Sequence, residues 1–231
     1  MNHEKILIEK AVRRIEVQSS PNNEQVKIKG DHKDLKLIAA GTDAAVFRFL
    51  PAPDKAIKVF ANEKCDKLKM ELDVYRNIGE SNFYPHCYGS GVNYMIISFE
   101  EGVTLYDCVV RGIPIPKQVI IDVENARSEV IEKGLNPRDI HLKNILMHNG
   151  RAKIVDVSEY MKEGNDYRWE YLKRGYEDYY HLIEGKPVPL WVVESVRKWF
   201  NQSTVFQYEE FIKKLSKLYD MFSISSSNRK S

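Results

Sequence analysis

Ten consecutive residues in the second half of the chain, Pro137-Arg138-Asp139-Ile140-His141-Leu142-Lys143-Asn144-Ile145-Leu146, concentrate the side chains best suited to chemistry. Asp139 is followed five positions later by Asn144, which stands ahead of two apolar residues, and twelve residues further on comes Asp156, closing Ile154-Val155-Asp156. Carboxylate and amide oxygens are the donors that a hard divalent cation prefers, and a carboxylate can also orient a hydroxyl and take its proton. An Asp-x-x-x-x-Asn taken alone is commonly turn chemistry. Here it is followed by an apolar run, Ile145–Met147, a turn signal at His148-Asn149-Gly150 and a returning run, Ala152–Val155, so that a hairpin leads from Asn144 to Asp156.

This stretch resembles the catalytic loop and metal-binding segment of protein kinases. The resemblance implies ATP and Mg²⁺ as cofactors, with Asn144 and Asp156 as metal ligands beside the phosphates and Asp139 as the carboxylate that receives the acceptor's proton. Upstream, Ala56-Ile57-Lys58-Val59 resembles the strand whose Lys contacts the α- and β-phosphates, and Glu71, on the helical pattern that follows, resembles its ion-pair partner. Ile38–Val46 aligns with the glycine-rich phosphate-covering loop, with Gly41 retained and Ala39 and Ala44 where the other two glycines would stand. Alanine leaves room for phosphate but restricts the backbone angles that glycine permits. Glu100-Glu101-Gly102 resembles the hinge against which adenine rests, and Thr104 fits a helix N-cap. The nucleotide contacts that follow are Ala39, Gly41, Ala44, Val46, Ala56, Lys58, Glu100 and Gly102, with Asp139, His141, Lys58 and Glu71 as the catalytic set.

Several positions depart from typical protein kinases. Pro137 replaces the usual His, His141 replaces the Lys of protein-serine kinases, Asp156-Val157-Ser158 replaces Asp-Phe-Gly, and no Ala-Pro-Glu follows. The His two positions after Asp139 is more similar to aminoglycoside kinases, and the short helical region resembles small atypical bacterial kinases of the RIO-like and lipopolysaccharide-kinase-like groups. His141 can act either as a conditional cation or as a neutral group that holds Asp139. Arg138 can neutralise Asp139 or meet a phosphate on Ser158 or Tyr160. The segment from Ser158 to Tyr180, with Lys162, Arg168, Lys173, Arg174 and Trp169, is where an acceptor would dock; its plain alternative is a packed helix with a solvated face. The implied activity is transfer of the γ-phosphoryl of ATP to a hydroxyl, nominally of protein Ser/Thr. A small-molecule kinase on the same fold and a pseudokinase scaffold are the alternatives.

The elements that must position these residues follow from periodicity. Ile6-Leu7-Ile8, Ile15–Val17, Val26–Ile28, Leu35–Ile38, Ala45–Leu50, Ala56–Phe60 and Tyr94–Phe99 read as strands, with turns at Ser19–Asn23 and Pro51–Asp54. Asn62–Ile78 changes to a helical period, as do Lys117–Lys133 with its cap at Gly134, Tyr167–Ile183, Trp191–Phe200 and Tyr208–Phe222. The pattern predicts an α+β chain, and the resemblance implies a two-lobed kinase-like fold for it: a β-rich lobe with one main helix over residues 1–100, a mostly helical lobe over 101–223, and a disordered tail over 224–231.

Composition agrees with this class. The chain has 231 residues, 43% hydrophobic and 29% charged, and a formal net charge of +2 that gives no electrostatic argument for nucleic acid or an anionic membrane as partner. Cys65, Cys87 and Cys108 are odd in number and form no CxxC pair, which predicts a reducing compartment. No signal-type core occurs over Met1–Lys10 and no apolar run is long enough to span a bilayer, so a cytoplasmic protein is expected.

Overall fold

Alternating apolar residues build the first part of the chain as antiparallel sheet, and a change to helical period closes each stretch of it. The computed structural model describes residues 2–202. The predicted helix Tyr208–Phe222 and the predicted tail 224–231 lie outside the described residues. Helix α1 (Asn2–Val12) leads into a two-stranded sheet of β1 (Ile15–Gln18) and β2 (Lys27–Gly30). A five-stranded sheet follows, made of β3 (Leu35–Ala40), β4 (Ala44–Phe49), β5 (Lys55–Phe60), β6 (Cys87–Ser90) and β7 (Tyr94–Ser98) in the order β3-β4-β5-β7-β6. Helix α2 (Cys65–Ile78) is inserted between β5 and β6.

The sequence predicts a strand at Ile6-Leu7-Ile8, and the structure corrects it to the middle of α1. Ile8, Ala11 and Val12 are buried while Ile6 is exposed, the i, i+3, i+4 face of a helix. Three apolar residues in a row cannot set a period by themselves. The flanking Glu4, Lys5, Glu9 and Lys10 are all good helix formers.

The core lies between α1 and one face of the large sheet. Ile8, Ala11 and Val12 join Val17, Val26, Leu35, Ala45, Phe47, Phe49, Ile57, Val59, Tyr94 and Ile96 in one buried cluster. Since side chains alternate along a strand, the other face carries Ala44, Val46 and Arg48 of β4 and Ala56, Lys58 and Phe60 of β5, which are cross-strand partners in that register. Ala39 pairs with Val46 after a bulge in β3 and joins the same face. Five of the eight predicted nucleotide contacts thus share one side of one sheet.

A second, three-stranded sheet has the order β10-β9-β8, from β8 (Val103–Thr104), β9 (Ile145–His148) and β10 (Arg151–Ile154). Asn149 and Gly150, both at positive φ, form the two-residue turn that the Asn-Gly pair predicts. Helix α4 (Lys117–Glu132) packs on this sheet, after α3 (Leu105–Arg111), and α5 (Arg168–Ile183) and α6 (Leu190–Gln202) follow. Gly134 ends α4 at φ 75°, with Leu135 N–H donating to the Val130 carbonyl at 2.9 Å, the predicted cap. Among the described residues no helix is long and apolar enough to cross a membrane.

The chain forms two compact units. Among the described residues, one contains the chain up to Thr104 together with Pro116–Trp169; the other contains Leu105–Ile115 and residues 170–202. In the second unit, Tyr176 and Tyr180 stack with ring centroids 4.7 Å apart. Their hydroxyls bracket Ile115, one donating to its carbonyl at 2.8 Å and the other accepting from its N–H at 2.7 Å. Tyr106 donates to Glu194 at 2.6 Å, which joins α3 to α6.

In the first unit α4 is fastened to β10 by Asp122, 1% exposed, which accepts from Arg151 Nε at 2.8 Å, Arg151 Nη2 at 2.9 Å, Ala152 N–H at 2.9 Å and Gln118 at 2.9 Å. Burial pushes its carboxyl up, but the hydrogen bonds from Arg151, Ala152 and Gln118 outweigh this and hold its pKa below the ordinary Asp value. A folded-state pKa below the unfolded one gives stability that is fully present above the unfolded value and lost as pH falls through the folded one. Asp122→Asn should therefore lower stability by about 1–3 kcal/mol at neutral pH and by less in acid. Urea midpoints at the two pH values check this, and equal losses at both would contradict it.

Candidate active site

Central strand β5 is buried from Ala56 to Phe60, and one of those residues is a lysine. Lys58 is 8% exposed, and its ammonium donates to both oxygens of Glu71 at 2.7 Å. Glu71 is 1% exposed and lies in the buried stripe of α2, with Leu68, Val74, Tyr75 and Ile78. Asp156 Oδ1 lies 3.6 Å from the same ammonium. Burial disfavours the charge on Lys58, but Asp156 and Glu71 outweigh it and hold the amine protonated well above its usual range. Burial pushes Glu71 upward, with Asp156 adding to the push and Lys58 pulling against it. The two directions compete, and the two-point contact at 2.7 Å favours the ionised pair.

The hairpin accounts for the eleven residues between Asn144 and Asp156. Ile145 pairs with Ile154, and one step beyond that register Val155 N–H donates to the Asn144 carbonyl at 2.9 Å. Asp156 is the next residue. The Asn144 amide nitrogen donates to the Asp139 carbonyl at 3.0 Å, which leaves its oxygen as the atom for a cation. The Asp156 carboxylate accepts from Ser158 N–H at 3.0 Å; burial pushes its pKa up, and Lys58 with this bond outweighs that, so it is held ionised. One carboxylate and one amide oxygen at the open end of this hairpin match the donor chemistry of Mg²⁺, whose other ligands would be phosphate and water. Among the described residues no group of three or more His, Cys, Asp or Glu forms a metal cage by itself.

Asp139 sits at φ 58° in the left-handed region. Its carboxylate accepts from Arg168 Nη1, and its N–H donates to Asp166 at 2.7 Å. Burial raises its pKa to about 6; Arg168 opposes this, while Asp156, Asp166 and Glu159 add to it. His141 Nδ1 accepts from Lys143 N–H at 3.2 Å, which places its proton on Nε2, 3.9 Å from Asp139 Oδ1. Burial lowers the His141 pKa to about 4, with Arg168 and Lys143 adding to the effect. Of the two roles the sequence allows, the neutral imidazole is the one this environment supports.

The remaining predicted contacts border this centre. The β3–β4 turn closes with Gly41 N–H on the Ala44 carbonyl at 2.8 Å, and its tip is anchored from outside: Val26 N–H donates to the Gly41 carbonyl at 2.8 Å, and Lys64 reaches Asp43 at 2.9 Å. A side chain built on Gly41 would meet Ala44 at an ordinary 3.6 Å, so this turn does not need glycine's freedom. That removes the conformational objection to alanine in such a loop. Ala44 is buried and Ala39 exposed. Gly102 is different: at φ 152° a Cβ would lie 2.8 Å from the Met147 carbonyl, so only glycine lets β9 pass beside the hinge. Glu100 receives bonds from Ser98 at 2.5 Å and Lys153 at 2.8 Å.

No family model matches the chain. Across 164 residues it is 34% identical to a Bacillus subtilis (strain 168) protein named "Putative serine/threonine-protein kinase YrzF", an alignment that covers 70% of this chain and 74% of that one. The chain belongs to the protein-kinase-like superfamily.

Against that background three expectations for this kinase-like chain are corrected. Tyr160 cannot display a phosphate in this structure: it is 1% exposed, edge-on to Tyr84 at 6.0 Å, with the two hydroxyls 3.5 Å apart. Arg138 bonds the Glu163 carbonyl, and the cation on Asp139 is Arg168, which the sequence had placed on an acceptor surface. Trp169, expected there too, is 2% exposed and donates to Glu124 on α4 at 2.5 Å. Its place in the helical period of α5 was the available signal that it packs inward. Asp166 was not singled out from the sequence; only its position just before a predicted helix start hinted at a capping role.

Removing one partner of a buried pair leaves the other charge uncompensated, whereas replacing both by apolar residues does not. Glu71→Ala should lower stability by about 3–5 kcal/mol, and Lys58→Met with Glu71→Leu should recover most of it. Urea midpoints of the three proteins decide the matter. A double variant as unstable as the single one would show that the pair itself, and not charge burial, sets the stability.

Proposed function

We propose that the chain is an ATP- and Mg²⁺-dependent phosphotransferase that moves the γ-phosphoryl group of ATP to a hydroxyl, with a protein Ser/Thr as its nominal acceptor. The observation that carries this reading is a connected array. Glu71 holds Lys58, Lys58 reaches Asp156, the hairpin sets Asp156 beside Asn144, and Asn144 bonds Asp139. In it Lys58 binds the α- and β-phosphates, and Glu71 fixes the ammonium for that contact. Asn144 and Asp156 hold Mg²⁺, which when bound draws negative charge from the phosphate oxygens. Asp139 orients the acceptor hydroxyl and takes its proton as the new O–P bond forms and ADP leaves. Neutral His141 faces Asp139, its Nε2 3.9 Å from Oδ1, and brings no charge to it. Ala39, Gly41, Ala44, Val46 and Ala56 border the phosphates and adenine from the sheet, and Glu100 and Gly102 do so from the hinge.

In this reading residues 1–100 are the nucleotide-covering lobe and 101–223 supply the catalytic loop and the helical lobe, in a soluble cytoplasmic protein without nucleic acid or membrane as partner. A small-molecule hydroxyl is the second reading for the acceptor, favoured by the neutral His141 and by the buried Tyr160 in the segment after Asp156. A pseudokinase scaffold is the third, and consumption of ATP by the purified chain with Mg²⁺ separates it from both.

Asp139→Asn should leave ATP affinity nearly unchanged and cut turnover by ~10²–10⁴-fold, the range for a general base. An equal fall in affinity would make Asp139 a structural or metal residue. With the His141 pKa at about 4, the ring is already neutral throughout the physiological range and loses no charge as pH rises. Wild-type turnover should then show no alkaline decline from about pH 6 to 8, and His141→Lys should substitute poorly. An alkaline limb that His141→Lys abolishes would restore the cationic role.

A further inference from the structure

Asp139 is held at every polar group by which a residue can be held. Its left-handed φ of 58° is unfavourable for a residue with a Cβ and persists only where neighbours over-determine it. Here the N–H donates to Asp166 Oδ2 at 2.7 Å, the carbonyl accepts from Asn144 at 3.0 Å, and carboxylate Oδ1 accepts from Arg168 Nη1. Asp166 does two things at once. Its Oδ1 accepts from Arg168 N–H at 3.2 Å, which shapes the first turn of α5, while its Oδ2 grips Asp139 and lies 3.7 Å from Arg168 Nε. The guanidinium therefore spans two carboxylates, one of them on the candidate proton acceptor. These side chains are partly buried, Arg168 34% exposed, Asp139 31% and Asp166 19%, so geometry rather than charge alone sets the value of the contacts.

We propose that Arg168, braced by Asp166, is a positioning residue for Asp139: it fixes the carboxylate by Oδ1 and turns Oδ2 to the acceptor hydroxyl. The proposal rests on the reading of Asp139 as the proton acceptor. A fork of N–H donors suits the task, because Nη1 and Nε face different carboxylates from one rigid plane. A lysine in the same place offers a point charge and one flexible head, and it keeps the attraction without the geometry. Arg138, next in sequence to Asp139, is engaged with the Glu163 carbonyl and does not take this role. Neutral His141 approaches the same oxygen at 3.9 Å, too far to replace the guanidinium.

The test uses the full chain with Mg²⁺ and saturating ATP, measuring total ATP turnover. Arg168→Gln should lower kcat by ~10²-fold while KM for ATP stays within about threefold, since misplacing a catalytic group affects the step and not nucleotide binding. Arg168→Lys should recover part of the loss. Added guanidinium ion should partly restore Arg168→Ala and should leave Asp139→Asn unchanged. The double variant Arg168→Gln/Asp139→Asn should be no slower than Asp139→Asn alone, because one residue acts through the other. Losses that multiply in the double variant, or an Arg168→Gln enzyme with wild-type kcat beside an impaired Asp139→Asn, would overturn the proposal. Full turnover by Asp139→Asn would instead overturn the reading of Asp139 on which it rests. If Arg168→Gln fails to fold by circular dichroism, the lysine variant and the guanidinium response carry the same comparison.

Discussion

Where strand β5 faces helix α2, an ammonium and a carboxylate are buried together, and neither could stay there without the other. Lys58 lies in a run of β5, Ala56–Phe60, whose other residues are all buried and apolar, and Glu71 occupies the middle of an apolar helical stripe. An isolated charge in either place would be strongly disfavoured, so the pair sets how α2 docks on the sheet. Asp156 at 3.6 Å then gives Lys58 a second partner, one that follows the β9–β10 hairpin. Through that contact the sheet, the helix and the hairpin converge on one ammonium group. A purely structural pair would be equally well served by apolar residues of the same volume. Retaining charge here makes sense if a third, anionic party visits.

The rest of the centre depends on register more than on charge. A two-residue Asn-Gly turn fixes which residue of β9 faces which of β10, and a one-step slip would carry Asn144 away from Asp156. Gly102 permits the close passage of β9 beside the hinge, so the same strand that positions Asn144 is also tied to the segment expected to meet adenine. The β3–β4 turn, proposed to lie over the phosphates, is built otherwise. Its tip is held through Gly41 and Asp43 by Val26 and Lys64.

Much of this was legible in the sequence because it is local or periodic. Lys58 and Glu71 could be singled out by their resemblance to the kinase Lys–Glu pair, in that order ahead of the Asp139 stretch, the β9–β10 hairpin by Asn-Gly between apolar runs, and the end of α4 by Gly134. What was missed depends on contacts between distant positions. Arg168 reads as one basic residue among several on a helix, and nothing in its neighbourhood reveals that it reaches Asp139, twenty-nine residues earlier. Tyr160 lies in a polar, irregular stretch with no period to announce that its ring is buried against Tyr84. The apolar run Ile6-Leu7-Ile8 was too short to separate strand from helix, and packing decided it. The short strand β6 was not predicted, as four residues carry little periodic signal, and helix α3 was marked only at its start, by the N-cap reading of Thr104.

Lys58, Asn144 and Asp156 are proposed to form a site for nucleotide phosphates with a divalent cation. Calorimetric titration of ATP into wild type and Asp156→Ala, each with and without Mg²⁺, tests it most directly. Wild type should bind ATP more tightly when Mg²⁺ is present, and Asp156→Ala should lose that Mg²⁺ dependence while keeping its fold. Mg²⁺-independent binding by wild type, or an unchanged Mg²⁺ effect in Asp156→Ala, would contradict the account.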